Sequence, residues 1–530
     1  MRERMKKPLL LLILGASLTA LTLIFPALGV LEWITLVPLF LGVYFLFRDP
    51  DVRGRQAYGY GFLTVYVYYF LLYHWFTALY PLDFAGLDPL AAVGVVAIAW
   101  LGLPLLQAIP GGLIFVFYRL IARTGIFKRF PLLTPVAFSA LWAVFEWSST
   151  LHWTGVPWGR LALGQIHLLP MLQSASLLGS YFVSFLILLV NGFLAYALWK
   201  RAKAIPALAL AAGLLLANLS YGLISLRLPA SKEEKTLTVA VLQPNIGSQE
   251  KWENETLLTL NICREYVQKA AEEGAELIVM PETVFPTYLN RYPFLRQEIC
   301  DMAEEFGVYM IVGAFYTDEE SREYNALYLV TPEGELSEQV YGKRHLVPFG
   351  EYVPLRDLVS VIFPPLADIS MLASDLTPGE GASLFETPWG EVGSMICFDS
   401  IYEGLLLESV RDGAWLMVIC SNDSWFFDTA AVYQHKAQGQ LRAIEGGRYV
   451  VRSANTGISA VIDPKGRELC EIEPLIPGYE VQEISMRSVN TLYSYVGNLL
   501  VYLCAAFCVV LYAIGARRRA RERQLEQIFD

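Results

Sequence analysis

Residues 8–226 form a near-continuous series of apolar blocks, and 494–514 is one more, whereas 232–488 is ordinary charged, mixed sequence. A helix needs about 20 apolar residues to cross a hydrocarbon layer about 30 Å thick, where unpaired backbone polar groups are too costly. Runs of this kind lie at 8–28, 31–47, 60–80, 89–121, 131–149, 168–199, 204–226 and 494–514, which predicts eight spans. The second is short. The fourth and sixth exceed a bilayer, and Pro104 and Pro110 can kink the fourth. The expected division is a membrane domain over 1–230, a globular insert over 231–488, and a final span with a basic tail over 489–530.

The basic residues fall into phase with that count. Arg2, Arg4, Lys6 and Lys7 precede the first span, and Arg48, Arg53 and Arg55 follow the second. Arg119, Arg123, Lys128 and Arg129, then Lys200, Arg201 and Lys203, and finally Arg517, Arg518, Arg519, Arg521 and Arg523 mark the later alternate loops. The loops between hold almost no basic residue: 81–88 has Asp83 and Asp88, and 150–167 has Arg160. Cytoplasmic loops are the Lys/Arg-rich ones. Both termini are therefore expected in the cytoplasm, and the insert, which follows seven spans, outside it. Glu146, inside the fifth span, is costly in lipid unless paired and reads as a structural partner within the bundle. The segment STLHWTGVPWGR (149–160), with Trp158, is open to two readings: an interfacial aromatic belt, or a loop that touches a lipid substrate.

A net charge of −11 leaves no basic face for nucleic acid. The seven cysteines contain no C-x-x-C pair, so zinc spacing is absent, and their odd number leaves at least one thiol free.

The insert alternates apolar strand-like runs with helical ones. LTVAVLQPN (237–245), AELIVMPET (275–283), VYMIVGAFY (308–316), ALYLVTP (326–332), EVGSMICFDS (391–400) and WLMVICSNDSW (415–425) read as strands. Segments 254–273, 294–306 and 431–446 have helical spacing, and 449–466 reads as a hairpin. Continuous apolar strands between helices predict an α/β sheet covered by helices, with polar residues at the strand C-termini forming a site. Those ends carry Glu282, Cys397, and the trio Asn422, Asp423 and Ser424, while Lys343 lies in the polar stretch YGKRHLVPFGEYVP. A cysteine, a carboxylate and an ammonium suit attack on a carbonyl. The thiolate is the nucleophile, the carboxylate carries the proton, and the ammonium and backbone N–H groups hold the oxyanion. A helix after Cys397 would lower its pKa through the N-terminal dipole. Cys397 and Cys420 both end strands, and each could equally be a small core residue.

PET (281–283), GKRHLVPFGEYVPL (342–355) and ICFDSIYE (396–403) resemble the three catalytic stretches of the nitrilase superfamily. VLQPN (241–245), Lys251-Trp252, SNDSWF (421–426), the run 434–466 and the eight spans are similar to the apolipoprotein N-acyltransferase family over essentially the whole chain. The resemblance implies a multi-pass α-helical membrane domain joined to an αββα sandwich. It implies Glu282 as general base and acid, Lys343 as oxyanion stabiliser and Cys397 as nucleophile. Glu351 and Asn422 would support the site, and Trp252, Trp425 and Trp158 would handle substrate. His345 and His435 are assigned structural roles. The family's usual Cys-Tyr-Glu is Cys397-Phe398-Asp399 here, which loses a hydroxyl and shortens a carboxylate, with Glu403 placed to compensate.

The implied reaction moves an acyl chain from a phospholipid to Cys397, then to the α-amine of a diacylglyceryl-cysteine on an apolipoprotein. No metal or soluble cofactor is needed. A monomer in the bacterial cytoplasmic membrane, in contact with membrane lipid, is expected. Two alternatives stand beside this: a membrane-tethered amidase or nitrilase-like hydrolase, and a non-catalytic transporter or sensor.

Overall fold

The computed structural model describes residues 2–82, 88–151, 154–201, 204–228, 235–247, 256–362 and 374–529. They divide into two compact units. The first comprises Met1–His74, Ile98–Leu228 and Val496–Asp530; the second comprises Trp75–Ala97 and Pro229–Tyr495. The segment 75–97, which its apolarity assigns to the membrane domain, thus falls in the second unit.

Seven helices among the described residues are long and apolar enough to cross a membrane: Lys6–Ile24, Pro26–Phe47, Gly54–Leu79, Pro89–Arg123, Ser180–Trp199, Ala204–Arg227 and Leu499–Gln527. The fifth of the eight expected spans does not reach that length. That segment is the helix Leu133–Ser148, only 16 residues long, or about 24 Å at 1.5 Å per residue. The long sixth run is broken as well. Short helices at Leu169–Leu172 and Ala175–Leu178 precede Ser180–Trp199, and Gly179 at φ +79° makes the joint. By contrast, Pro104 and Pro110 both sit inside one continuous helix, Pro89–Arg123.

The charged side chains Glu32, Glu146 and Arg160, buried in the first unit, each have hydrogen-bond partners, as the cost of exposing them to lipid requires. Glu146 accepts the Leu161 N–H at 3.0 Å and the Trp142 indole N–H at 3.3 Å, the structural role its position predicts. Glu32, which the sequence reading passed over, accepts from Gln165 Nε2 at 2.6 Å. Arg160 donates to Ser180 Oγ and Tyr181 Oη at 3.2 and 3.0 Å.

The second unit is built on two sheets. In the first, β1 (Lys235–Gln243), β2 (Leu277–Val279) and β4 (Tyr309–Thr317) run parallel. Short β3 (Phe285–Tyr288) also pairs with β4. β5 (Glu323–Val330) and β6 (Leu336–Gly342) extend the sheet antiparallel on one side, and β13 (Gly478–Met486) pairs antiparallel with β1 on the other. The second sheet has the order β12 (Glu468–Ile472), β11 (Ser459–Ile462), β10 (Tyr449–Ala454), β9 (Leu416–Ser421), β8 (Gly390–Ile396) and β7 (Phe385–Thr387), with β8, β9 and β10 parallel.

The pleat explains the unbroken apolar runs. Along β1, Leu237, Val239 and Val241 enter the core between the sheets with Val392, Val418 and Val451. Ala240 and Leu242 point the other way, towards Leu260 and Val267 of the helix Thr256–Glu272 and Ile299 of the helix Pro293–Phe306. With both faces buried, a strand has no polar alternation to display. Helices Glu403–Arg411 and Ala430–Gly446 pack on the second sheet. The result is the αββα sandwich expected for the insert.

Candidate active site

Because β2, β8 and β9 are parallel members of their sheets, and β6 runs with β4, their C-terminal ends deliver side chains to one place. Glu282 follows β2 on a turn in which Thr283 takes φ +40°. Gly313 in β4 lets this turn lie close, since a Cβ there would be 2.3 Å from the Pro281 carbonyl oxygen. Lys343 follows β6, Cys397 follows β8, and Asn422 follows β9.

Lys343 is 1% exposed. Its ammonium donates to Glu282 Oε1 at 2.8 Å and to Glu351 Oε1 at 2.9 Å. Asn325 of β5 donates from Nδ2 to the same two oxygens, at 2.7 and 2.8 Å. The Asn422 N–H donates to Glu282 Oε2 at 2.8 Å, tying the end of the second sheet to the first, and Val347 N–H donates to Glu351 Oε2 at 2.8 Å. Burial works to lower the Lys343 pKa, but Glu282, Glu351 and Cys397 outweigh it and push it well up, so the ammonium stays charged. Burial raises the carboxyl of Glu351. An ammonium has three donors, and two are taken here.

Cys397 is half-buried and held at φ +48°, a left-handed conformation that costs a non-glycine residue about 1–2 kcal/mol. Its thiol pKa is pushed up, first by burial and then by the charge of Glu282, with Lys343 opposing. This corrects the expectation of a dipole-lowered thiol. The element after Cys397 is a five-residue 3₁₀ turn, Cys397–Ile401, and desolvation beside a carboxylate outweighs what so short a turn can supply.

Asp399 is fully buried beneath this turn and does not reach out to substrate. It accepts Tyr341 Oη at 2.9 Å, His345 N–H at 2.7 Å, Ile396 N–H at 3.2 Å and Arg344 N–H at 3.3 Å. The shortened carboxylate thus clamps the loop after Lys343 to the turn of Cys397. Phe398 lies edge-on to Tyr402, with centroids 5.5 Å apart, and His345 stacks on the same Tyr402 ring at 3.8 Å. Glu403 is buried at the head of its helix.

A second polar network supports the cysteine from the other side. His435 Nε2 lies 3.1 Å from the Cys397 carbonyl oxygen, which also accepts Ser400 Oγ at 2.7 Å. His435 Nδ1 is 2.8 Å from Asp423 Oδ1, and Arg452 donates to Asp423 Oδ2 at 2.7 Å. Burial alone would raise the Asp423 carboxyl, but His435 and Arg452 outweigh it and hold it well below the usual carboxylate range. Cys397, Asp423 and His435 each bring a potential metal-ligand atom within 4.8 Å of the others. The Arg452 guanidinium already supplies the cation there, 3.2 Å from His435 Nδ1, so the set does not fit a metal ion.

The geometry therefore gathers Glu282, Lys343, Glu351, Cys397, Asp399 and Asn422. Trp425 is half-buried in the turn after β9. Trp158 is buried in the first unit, and Trp252 lies outside the described residues. Asn325, Tyr341 and Arg452 were not singled out from sequence. Asn325 and Arg452 each had a signal, a polar or charged residue inside an otherwise apolar strand.

The family model described as carbon-nitrogen hydrolase matches residues 238–491, and the one described as apolipoprotein N-acyltransferase N-terminal domain matches 15–193. An apolipoprotein N-acyltransferase of Geobacter metallireducens is 31% identical over 98% of this chain and 97% of its own. One of Gloeobacter violaceus is 31% identical over 93% of this chain and 92% of its own. Among solved structures, Saccharomyces cerevisiae Nit3 of the nitrilase superfamily is 20% identical, covers 51% of this chain and 96% of its own, and has a TM-score of 0.37. With both family models matched in order and a relative aligned from end to end, the chain belongs to the apolipoprotein N-acyltransferase family.

Proposed function

We propose that this membrane acyltransferase works through Cys397, with a phospholipid as acyl donor and the N-terminal amine of a diacylglyceryl-cysteine on an apolipoprotein as acceptor. The observation that carries the reading is the buried Glu282–Lys343 pair at 2.8 Å beside a cysteine strained into φ +48°. Glu282 takes the Sγ proton as the thiolate attacks the ester carbonyl. The unused third donor of Lys343 faces the developing oxyanion. Collapse of the tetrahedral intermediate breaks the ester C–O bond, and Glu282 returns the proton to the departing lysophospholipid oxygen. The acceptor amine then attacks the thioester and loses a proton to Glu282. The amide forms, and Sγ leaves and is reprotonated. Glu351 and Asn325 fix the pair, while Trp252, Trp425 and Trp158 handle the lipid substrates. The raised thiol pKa suits this order, since the proton leaves only when a substrate is in place.

The same reading puts the second unit on the extracytoplasmic side of the bacterial cytoplasmic membrane, with both termini in the cytoplasm and the protein a monomer. Alternation of the basic loops supports the topology. Substrates anchored in the outer leaflet then meet the site by diffusion in two dimensions.

Intact-mass measurement after incubation with a defined phospholipid tests the nucleophile. The wild type should gain one acyl mass, and the Cys397→Ala protein none. Acyl mass on Cys397→Ala would refute the assignment. A diacylated lipopeptide that ends triacylated distinguishes transfer from hydrolysis.

A further inference from the structure

The first unit holds a cavity of about 630 Å³ that shares no residue with the cysteine site. Three separate stretches of chain line it: 47–52, 119–129 and 515–522. They bring Arg48, Arg119, Arg123, Lys128, Arg129, Arg518 and Arg519 to its lining, together with Asp49, Asp51 and Glu522. Seven cations against three carboxylates leave a formal excess of +4. The carboxylates do not pair it off: among the described residues, none of these cations lies within 4.0 Å of an acidic side-chain oxygen. Arg119 is 9% exposed, and its Nε donates to the Val52 carbonyl; Arg519 donates to the Arg123 carbonyl.

A topological signal needs basic residues only in the right loops. It does not need them gathered from three stretches around a hollow, where their mutual repulsion is unrelieved. Like charges held so close without counter-charge call for a bound anion. Arginine forks match phosphate oxygens in pairs, and basic pockets at the ends of membrane helices suit anionic lipid headgroups.

We propose that this cavity binds the phosphate of an anionic phospholipid headgroup, as a site separate from the acyl-donor site. A bound lipid here would brace the C-terminal helix against the helix Pro89–Arg123. Free inorganic phosphate has the same chemistry, and the test separates the two sources.

The full-length protein is equilibrated with phosphatidylglycerol or with phosphatidylcholine, and retained lipid is counted by native mass spectrometry. One phosphatidylglycerol should be held at least about tenfold more strongly than phosphatidylcholine. The Arg123→Gln/Arg129→Gln protein should lose about tenfold of that retention, about 1.4 kcal/mol, and still be acylated at Cys397. Both side chains are exposed, so folding should survive their loss. On the unaltered protein, phosphatidylglycerol alone should raise the thermal midpoint, and 1 M salt should cancel the rise. Equal retention of the two lipids, unchanged retention in the double variant, or a salt-insensitive midpoint overturns the proposal. Displacement of lipid by millimolar orthophosphate would assign the cavity to a soluble phosphate and overturn the lipid reading.

Discussion

Replacing Asp399 by Asn keeps the size of the side chain and removes only its charge and one acceptor. In the native structure, four donors converge on the two carboxylate oxygens, the nearest at 2.7 and 2.9 Å. An amide must turn its NH2 either towards the His345 and Arg344 N–H groups or towards Tyr341 Oη and the Ile396 N–H; the hydroxyl can rotate to accept, but the backbone N–H groups cannot. Even in the second orientation one hydrogen bond to a buried charge is lost, at about 1.5–3 kcal/mol, and a donor then opposes a donor. With the remaining bonds weakened by the loss of charge, a loss of about 2–4 kcal/mol is expected. The strain is released where Lys343 and Cys397 are positioned, and a displacement of about 1 Å costs about a hundredfold in rate. Tyr341→Phe removes one donor and leaves the carboxylate three backbone partners, so it should cost only about 1 kcal/mol. Thermal unfolding in detergent and single-turnover acylation of Cys397 read the two effects. If Asp399→Asn unfolds with the wild type and acylates within twofold of it, the clamp does not hold the site and the argument fails.

Glu282→Gln keeps the contact to Lys343 but cannot carry a proton, so acylation should slow about 10²–10⁴-fold with lipid binding retained; near-normal rates would remove its acid–base role. Because burial and Glu282 push the Cys397 thiol up, it is protonated at neutral pH, and only the thiolate is alkylated. Iodoacetamide labelling of Cys397, followed by peptide mass, should therefore keep accelerating above about pH 8.5, the midpoint of an ordinary thiol; a plateau at that pH would contradict the raised pKa. Gly313→Ala places a methyl 2.3 Å from the Pro281 carbonyl oxygen and should displace Glu282, costing about 1–3 kcal/mol in stability and most of the activity; a fully active variant would show that the turn is not held by that strand.

Most of the second unit was legible because its strands are apolar on both faces and end in polar residues, so Glu282, Cys397 and Asn422 stood out at the ends of β2, β8 and β9. Lys343 was found by its polar surroundings, although the strand before it, β6, was not read. Leu336–Gly342 carries Ser, Glu and Gln on a half-exposed edge, and such a strand lacks the apolar signal. β13 escaped for the same reason, and its pairing with β1 joins residues more than two hundred positions apart, which periodicity cannot show. The fifth expected span is a shorter helix than its apolar run suggested, because apolarity alone does not set where a helix ends. Leu133–Ser148 is buried along most of its length, and Cys508 of the last long helix donates to its Ala137 carbonyl. Within 75–97, packing in the second unit adds to the apolar signal: Trp75 packs edge-on against Phe426 at 5.0 Å, and Leu82, Ala92, Val95 and Val96 form a cluster with Phe349.

The departure Cys397-Phe398-Asp399 can now be placed physically. Cys397 sits in a conformation it would not choose, so something must hold it. One hold comes from below, where His435 and Ser400 meet its carbonyl oxygen and Asp423 and Arg452 fix His435. The other comes from the side, where Asp399 draws the 343–345 loop against the Ile396 N–H. Neither touches Sγ. A carboxylate two residues beyond a cysteine in a 3₁₀ turn points back at the strand it came from, and there an aspartate already meets four donors. A longer glutamate would have to fold back or push the loop outward to meet the same groups. Phe398 forms no part of this: its ring meets Tyr402 edge-on, a contact that needs no hydroxyl. The substitutions thus bear on how the turn is braced, and neither residue enters the proton path proposed between Cys397 and Glu282.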